Sequence, residues 1–342
     1  MSPAEKVVAG IDLGGTAINY TFLDERGQFL IDGLCEHPAR SVDGPDVCLA
    51  QIAAGLGHAA ERAGVPLAKL VAAGLDTPGP ASARGVLSRR GSTNFVHPDW
   101  AGFDIRAALE DRLGVPVTYL NDGNAAALWG HVSLFGSENG ATSVSAIIGT
   151  GLGGGVITAG RVVTGRNGFG GELGHVLIPY QGIPGIEGLL PECNCGRTGD
   201  LESLCSLTAI RRSLLPHFLA RHPDHPLAAE ADVAAAAKQV RGLAARGDAM
   251  CREIFRVQAR ALGLFFDEMV NVFDPDALVV GGGAVEADEA FRGWFLAEIR
   301  AGMPTARAEQ ADLPLHVIPG GDTAGARGAA LDAARLVRER SL

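Results

Sequence analysis

The sequence predicts an α/β protein of two domains, the second repeating the plan of the first. Three observations predict it. Residues 7–23 read as strand, glycine turn, strand: the apolar run Val7–Ile11, then Asp12-Leu13-Gly14-Gly15-Thr16, then Ala17 to Leu23. The same design returns at residues 143–158, with Ser143–Ile148 apolar, a turn over Gly149-Thr150-Gly151-Leu152-Gly153-Gly154-Gly155, and Val156-Ile157-Thr158 as the returning strand. Around both copies short apolar runs alternate with helical patterns, as in sheets flanked by helices. At 342 residues the chain has the length for two domains of ordinary size.

The elements follow in order. Asp24-Glu25-Arg26-Gly27 turns the chain into a third strand. Residues 46–63 are helical by pattern, and Leu70–Leu75 is a buried strand ending in the sharp turn Asp76-Thr77-Pro78-Gly79-Pro80. Asn94 and Trp100 fall in a polar loop over residues 85–100. Residues 104–113 are amphipathic and stop at Gly114. Val115–Leu120 is a strand running into Asn121-Asp122-Gly123-Asn124, where Asn121 or Asp122 can cap the Ala-rich helix that follows. Beyond the second copy, residues 206–221 and 233–245 are helical, and His217, His222 and His225 read as solvated loop or helix-end residues. Residues 247–273 form a long helix with Ile254, Val257, Leu262 and Phe265 on its core stripe, stopped by Asp274-Pro275. Leu278-Val279-Val280 is a buried strand entering the turn Gly281-Gly282-Gly283. A strand at 315–318 and a helix at about 325–339 close the chain.

Composition narrows the function classes. Hydrophobic residues make up 47% and charged residues 20%, and mean hydropathy is +0.16, which fits a globular chain with a large core. No stretch approaches the roughly 18 consecutive apolar residues of a membrane span, so no membrane partner is expected. Net charge is −10 with no basic cluster, which argues against nucleic acid. Met1–Lys6 is polar and lacks a signal-peptide pattern, so the cytoplasm is the expected compartment. The six cysteines are scattered apart from a central pair, which favours reduced thiols and one metal site over a disulfide framework.

Residues that carry chemistry gather in Gly170-Gly171-Glu172-Leu173-Gly174-His175 and in Cys193-Asn194-Cys195-Gly196-Arg197-Thr198-Gly199-Asp200-Leu201-Glu202. A tight turn over Leu173-Gly174 would aim Glu172 and His175 into one pocket. Cys193-x-Cys195 in a glycine-rich loop looks like half of a metal knuckle, for which imidazole and thiolate suit zinc. The plain alternative is a hydrogen-bonded histidine and two small buried hydrophobes. The turns at 12–16 and 149–151 expose N–H groups that can hold phosphate oxygens, unless they are simple hairpin turns. Asn121 and Asp122 stand together at the carboxyl end of a buried strand, where α/β folds place ligands. Gly149, Gly151 and Gly154 also satisfy G-x-G-x-x-G, with Glu172 further on as a dinucleotide fingerprint asks. That fingerprint needs a helix after the glycines, and Val156-Ile157-Thr158 is a strand, so the dinucleotide reading fails.

Taken together, these motifs resemble the ROK family (repressors, open reading frames and sugar kinases) of the actin/hexokinase-like superfamily. The resemblance runs from Asp12 to about residue 333. It rests on Asp12-Leu-Gly-Gly-Thr16, Asn121-Asp122-x-Asn124, Gly149-Thr-Gly-Leu-Gly-Gly154, Glu172-x-Gly-His175, Cys193-x-Cys-Gly-x-x-Gly199 and Gly281–Gly283. It implies an actin/hexokinase-like (ribonuclease H-like) fold with duplicated βββαβα units and a cleft between domains. Residues 1–135 with the helix at about 326–342 would form the small domain, and 136–325 the larger one. Asp12 would lie near the metal-bound phosphates. Gly14, Gly15 and Thr16, with Gly149, Thr150 and Gly151, would hold phosphates, and Gly281, Gly282 and Gly283 would lie beside the adenosine. Asn94, Asn121, Asp122, Glu172, His175 and Glu202 would bind sugar hydroxyls, with Asp122 as the catalytic base. His175 can serve a metal and a hydroxyl together, having two ring nitrogens.

One departure stands out. The family's zinc pattern, C-x-C-G-x-x-G-C, puts its last cysteine at Asp200 here. The expected ligands are therefore His175, Cys193, Cys195 and Asp200, with Cys205 as the competing fourth ligand. The expected activity is an ATP- and Mg²⁺-dependent hexose kinase, glucokinase-like, that retains structural Zn²⁺ and forms a homodimer. Another hexose or an N-acetylhexosamine is the alternative acceptor. A sugar-responsive repressor needs a DNA-binding domain ahead of the first glycine turn, and eleven residues leave no room for one.

Overall fold

Two five-stranded sheets carry the molecule, a computed structural model that describes residues 5–89, 94–137, 139–304 and 307–341. The first sheet contains β1 (Val7–Leu13), β2 (Ala17–Asp24), β3 (Glu36–Pro38), β4 (Leu70–Thr77) and β5 (Val117–Asn121), in the order β3-β2-β1-β4-β5. β2 is antiparallel to β1 and β3, whereas β1, β4 and β5 run parallel. The second contains β6 (Thr142–Ile148), β7 (Leu152–Thr158), β8 (Arg161–Val162), β9 (Ala277–Gly281) and β10 (Leu315–Val317), in the order β10-β9-β6-β7-β8. Read from its other edge, this is the same order. β6, β9 and β10 run parallel, and β8 is antiparallel to β7. The repeat seen as two glycine turns is thus a repeat of whole-sheet topology, the actin/hexokinase-like arrangement.

The helices begin and end where local chemistry dictates. α1 (Pro45–Ala63) opens with proline at its first position and stops at Gly64, φ +67°. α2 (Ile105–Leu113) is capped by Asp104, which accepts from the Ala107 N–H at 2.9 Å. α3 (Asp122–Phe135) follows β5 directly. α4 (Leu207–Ala209), a π-turn over Ile210–Leu214 and α5 (Leu215–Leu219) form one run capped by Ser206. α6 (Val233–Ala245) is capped by Asp232 and α7 (Ala249–Phe273) by Asp248. α8 (Glu289–Ala301), which the sequence pattern did not reveal, is capped by Asp288. α9 (Ala324–Ser341) is the last element.

Packing divides the chain into two units. The first comprises the chain up to Asn139, Gly155–Gly171, and Pro319 onward. On one face of its sheet Phe22, Ile52, Leu56, Leu75, Trp100 and Leu109 are buried; on the other are Val8, Ala72, Ala127, Leu128, Ala330 and Leu331. α9 lies so close to β1 and β4 that a Cβ at Gly10 would overlap the Ala326 carbonyl, and one at Gly74 the Ala329 carbonyl. A Cβ at Gly328 would likewise overlap the carbonyl of Ala125 in α3. Only glycine permits such approach. The second unit comprises Gly140–Gly154 and Glu172–Ile318, and Phe255, Phe265, Phe266, Phe291 and Phe295 dominate its core.

Two local expectations need correction. The third strand does not follow the turn at Gly27 directly: Phe29 makes only an isolated bridge to Leu23, and β3 starts at Glu36. His225 is no solvated loop residue. Its side chain is 11% exposed, its Nδ1 accepts from the Leu227 N–H, and its Nε2 donates to Asp248 at 3.1 Å. Among the described residues no helix is long and apolar enough to cross a membrane.

Candidate active site

In the first unit three carboxylates end three neighbouring parallel strands. Asp12 is in register with Asp76, and Thr77 with Asn121, which immediately precedes Asp122. Asn121 is the cap of α3: its Oδ1 accepts from the Gly123 N–H at 2.9 Å. Asp122 also accepts from that N–H, at 2.7 Å. The helix is therefore capped without Asp122, which stands in the first turn among N–H groups that favour negative charge.

Asp76 is one of the residues that sequence reasoning did not single out. It is fully buried, and neither of its oxygens accepts a hydrogen bond from a donor among the described residues. Burial, then the charges of Asp12 and Asp122, push its carboxyl well above the usual range. Burial also raises Asp12, so two adjacent negative charges are disfavoured there. A carboxyl raised in the folded state holds a proton that the unfolded chain releases near pH 4, so it lowers stability as pH rises above that value. Asp76→Asn is expected to raise Tm at pH 7 by about 2 °C or more, and the gain should vanish below about pH 4. Thermal melts across that range check this; a Tm at pH 7 no higher than that of the parent would contradict it.

The first glycine turn is held by side chains. The Gly14 N–H donates to Ala17 O at 2.9 Å, closing the turn. The hydroxyl of buried Ser41 lies 2.9 Å from Gly15 O and 3.1 Å from Asn94 O, its one proton shared between the two carbonyls, and its own carbonyl accepts from Trp100 Nε1 at 2.8 Å. Asn94 thus lies against the turn, and a Cβ at Gly15 would meet its Oδ1 at 2.7 Å. Gly14 and Gly15 do not adopt positive φ; at Gly15, close approach is what demands glycine.

In the second unit His175, Cys193, Cys195 and Asp200 converge, with one ligand atom of each within 4.8 Å of the others. Glu172 opens a short 3₁₀ turn over Leu173–His175, and an isolated bridge pairs Glu192 with Thr198 across the cysteine loop. His175 Nδ1 lies 3.1 Å from Asp200 Oδ2 and 3.7 Å from Cys193 Sγ, and Cys195 Sγ is 3.3 Å from the same Asp200 oxygen. Zinc bonds of about 2.0–2.3 Å in a tetrahedron require ligand separations of about 3.3–3.8 Å, so the set fits zinc. Cys205 takes no part: it is buried and donates to Gln258 O at 3.2 Å. Burial opposes ionisation of Asp200, but hydrogen bonds from His175, Ser203 and Cys195 outweigh it and hold the carboxyl below its usual value. The bond to Asp200 raises His175.

Glu202 joins this loop to the second glycine turn. Its Oε2 accepts from the Leu152 N–H at 2.8 Å and its Oε1 from Cys193 Sγ at 3.4 Å, and a Cβ at Gly151 would meet Oε2 at 2.5 Å. Glu172 is raised by burial and by the charge of Glu202, against His175. The turn closes through Gly149 N–H to Gly151 O at 2.9 Å, and the start of α4 binds its carbonyls, Leu207 N–H to Gly149 O and Thr208 N–H to Thr150 O. β7 follows, a strand as the sequence required.

Beside that turn lies a cavity of about 280 Å³ lined by Ile148, Leu207, Ile210, Phe255 and Ala284, with Gly149 and Gly283 also on its wall. Gly282 has φ +84°, and a Cβ there would overlap the Ile148 carbonyl, so this strand end can approach β6 only as glycine. Lys238, Arg241 and Gln258 supply polar lining beside Ser206. None of these three was singled out from sequence, because each lies on a helix where a polar residue reads as solvated face.

Comparison with known proteins agrees with this geometry. The family model described as "ROK family" matches residues 8–335. A glucokinase of Halalkalibacterium halodurans is 31% identical over 297 residues, covering 84% of this chain and 83% of the relative. The crystal structure of a ROK hexokinase from Thermus thermophilus superposes with a TM-score of 0.74 at 32% identity, covering 97% of this chain and 99% of that one. A ROK family glucokinase from Streptomyces griseus, in complex with glucose and AMPPNP, superposes with a TM-score of 0.73 at 27% identity, covering 96% and 99%. The chain belongs to the ROK family.

Proposed function

We propose that this ATP-dependent sugar kinase transfers the γ-phosphoryl group of ATP to the 6-hydroxyl of glucose, with Asp122 as general base. The observation that carries the reading is Asp122 itself, a carboxylate just beyond the carboxyl end of the parallel strand β5, in a helix whose cap is Asn121. Phosphoryl transfer asks a protein mainly for positioning and charge stabilisation. The turns at Gly14-Gly15-Thr16 and Gly149-Thr150-Gly151 would hold phosphates, Asp12 would face the Mg²⁺ that accompanies them, and the cavity beside Gly281–Gly283 would take the adenosine. Asn94, Asn121, Glu172, His175 and Glu202 would bind sugar hydroxyls. Kinship to proteins named glucokinase favours glucose.

His175, Cys193, Cys195 and Asp200 would hold Zn²⁺. When bound, the ion would supply a rigid crosslink for the loop. His175 engages the cluster through Nδ1, which leaves Nε2 for a sugar hydroxyl.

A coupled assay with ATP over glucose, fructose, mannose, N-acetylglucosamine and N-acetylmannosamine tests the acceptor. Glucose should give the highest kcat/KM; a tenfold preference for another sugar overturns the glucose assignment. Glu172→Gln is expected to raise the sugar KM by about tenfold or more and leave the ATP KM within about twofold, because a charged hydrogen bond contributes about 1.5–3 kcal/mol. Equal changes in the two constants would remove Glu172 from the sugar side.

A further inference from the structure

The donor cavity contains one buried side chain whose orientation is chemically determined. Gln258, in the middle of α7, is 1% exposed and lines the cavity. Its Nε2 donates to Leu204 O at 3.0 Å and to Ser206 O at 3.3 Å. Both neighbours are carbonyl oxygens, so only the amide nitrogen can face them, and the flipped amide would set three oxygens together. Both amide hydrogens are thereby engaged, and Oε1 is the atom left for the cavity. The same wall carries the apolar Ile148, Ile210 and Phe255, and Ser206, whose hydroxyl is already engaged with Glu202 O and the Ala209 N–H. A buried hydrogen-bond acceptor fixed in such a wall discriminates strongly, because a ligand without the matching donor leaves it unpaired.

We propose that Gln258 Oε1 reads the exocyclic 6-amino group of the donor's purine and so restricts this kinase to adenine nucleotides. The assignment rests on the kinase reading only in placing the nucleotide base in this cavity. A 6-oxo purine would present a carbonyl oxygen to Oε1, acceptor against acceptor. Lys238 and Arg241 cannot substitute in this role: both are donors, and Arg241 is engaged with the Gly283 carbonyl.

The test uses ADP and inosine diphosphate, which differ at the 6-position of the purine, titrated into the whole protein by calorimetry without sugar. ADP should bind about tenfold or more tightly than inosine diphosphate. Gln258→Met, similar in length and without the acceptor, should bring the two affinities within about twofold, with Tm followed to confirm folding. Equal affinities in the parent protein, no ADP binding, or an undiminished preference in the folded variant would each overturn the proposal. Should the variant fail to fold, the parent's preference decides. Phosphorylation of sugar by ATP is measured separately, so a kinase without base preference and a base-selective protein without kinase activity are told apart.

Discussion

Asp122→Asn is expected to lower kcat about a hundredfold or more while leaving the sugar dissociation constant within about threefold. The amide keeps the side chain's shape and one oxygen to accept from the Gly123 N–H, so α3 and its cap at Asn121 should be undisturbed. What it loses is basicity, since an amide cannot take the proton from an attacking hydroxyl. Steady-state kinetics with direct sugar binding separates these effects. Retention of more than about a tenth of the parent kcat would show that Asp122 is not the base.

Metal removal is the second large effect. Protein purified without chelator is expected to carry one zinc per chain, and extracting it should raise the sugar KM by about tenfold or more before Tm falls appreciably. The reason lies in the bonding of the loop. His175 takes its position from the cluster through Nδ1, and Glu202 follows the ligand Asp200 by two residues on the same loop. The phenylalanine core of the same unit draws nothing from it. Asp200 is a harder ligand than thiolate, so the ion should leave more readily than from a three-cysteine site, and Asp200→Cys should slow its loss to a chelator. Metal analysis with kinetics checks this; full activity at a zinc content far below one per chain would make the cluster vestigial.

Much of this was legible in the residues. The two glycine turns announced the duplication because a strand, a turn and a returning strand leave a local trace in hydrophobic pattern. The cysteine loop was legible for the same reason, its ligands being close in sequence. Asp76, Ser41 and Gln258 were not legible, though Asp76 ends a buried strand as Asp12 and Asp122 nearly do, and that shared position was the available signal. Ser41 and Gln258 act through carbonyls at least 26 and 52 residues away in sequence, or across a cavity, and one-dimensional pattern carries no such distance. The short β3 went astray because three residues of mixed burial give no period to read. α8 was missed although Asp288 caps it, since nothing was read between the turn at Gly281–Gly283 and the strand at 315.

The glycine-mediated seat of α9 on β1 and β4 has a consequence for synthesis. The strands that meet α9 leave the ribosome well before it does, with more than half of the given chain between α3 and α9. Until α9 arrives, the sheet face carrying Val8, Ala72 and Leu120 lacks its cover, and the bare glycines at 10 and 74 leave flat backbone exposed. A nascent chain in that state offers a sticky surface to other chains, and it is the stage at which a holdase would be needed. Stalling translation just before Ala324 should therefore yield an aggregation-prone species, whereas supplying residues 324–341 as a separate peptide should rescue its solubility.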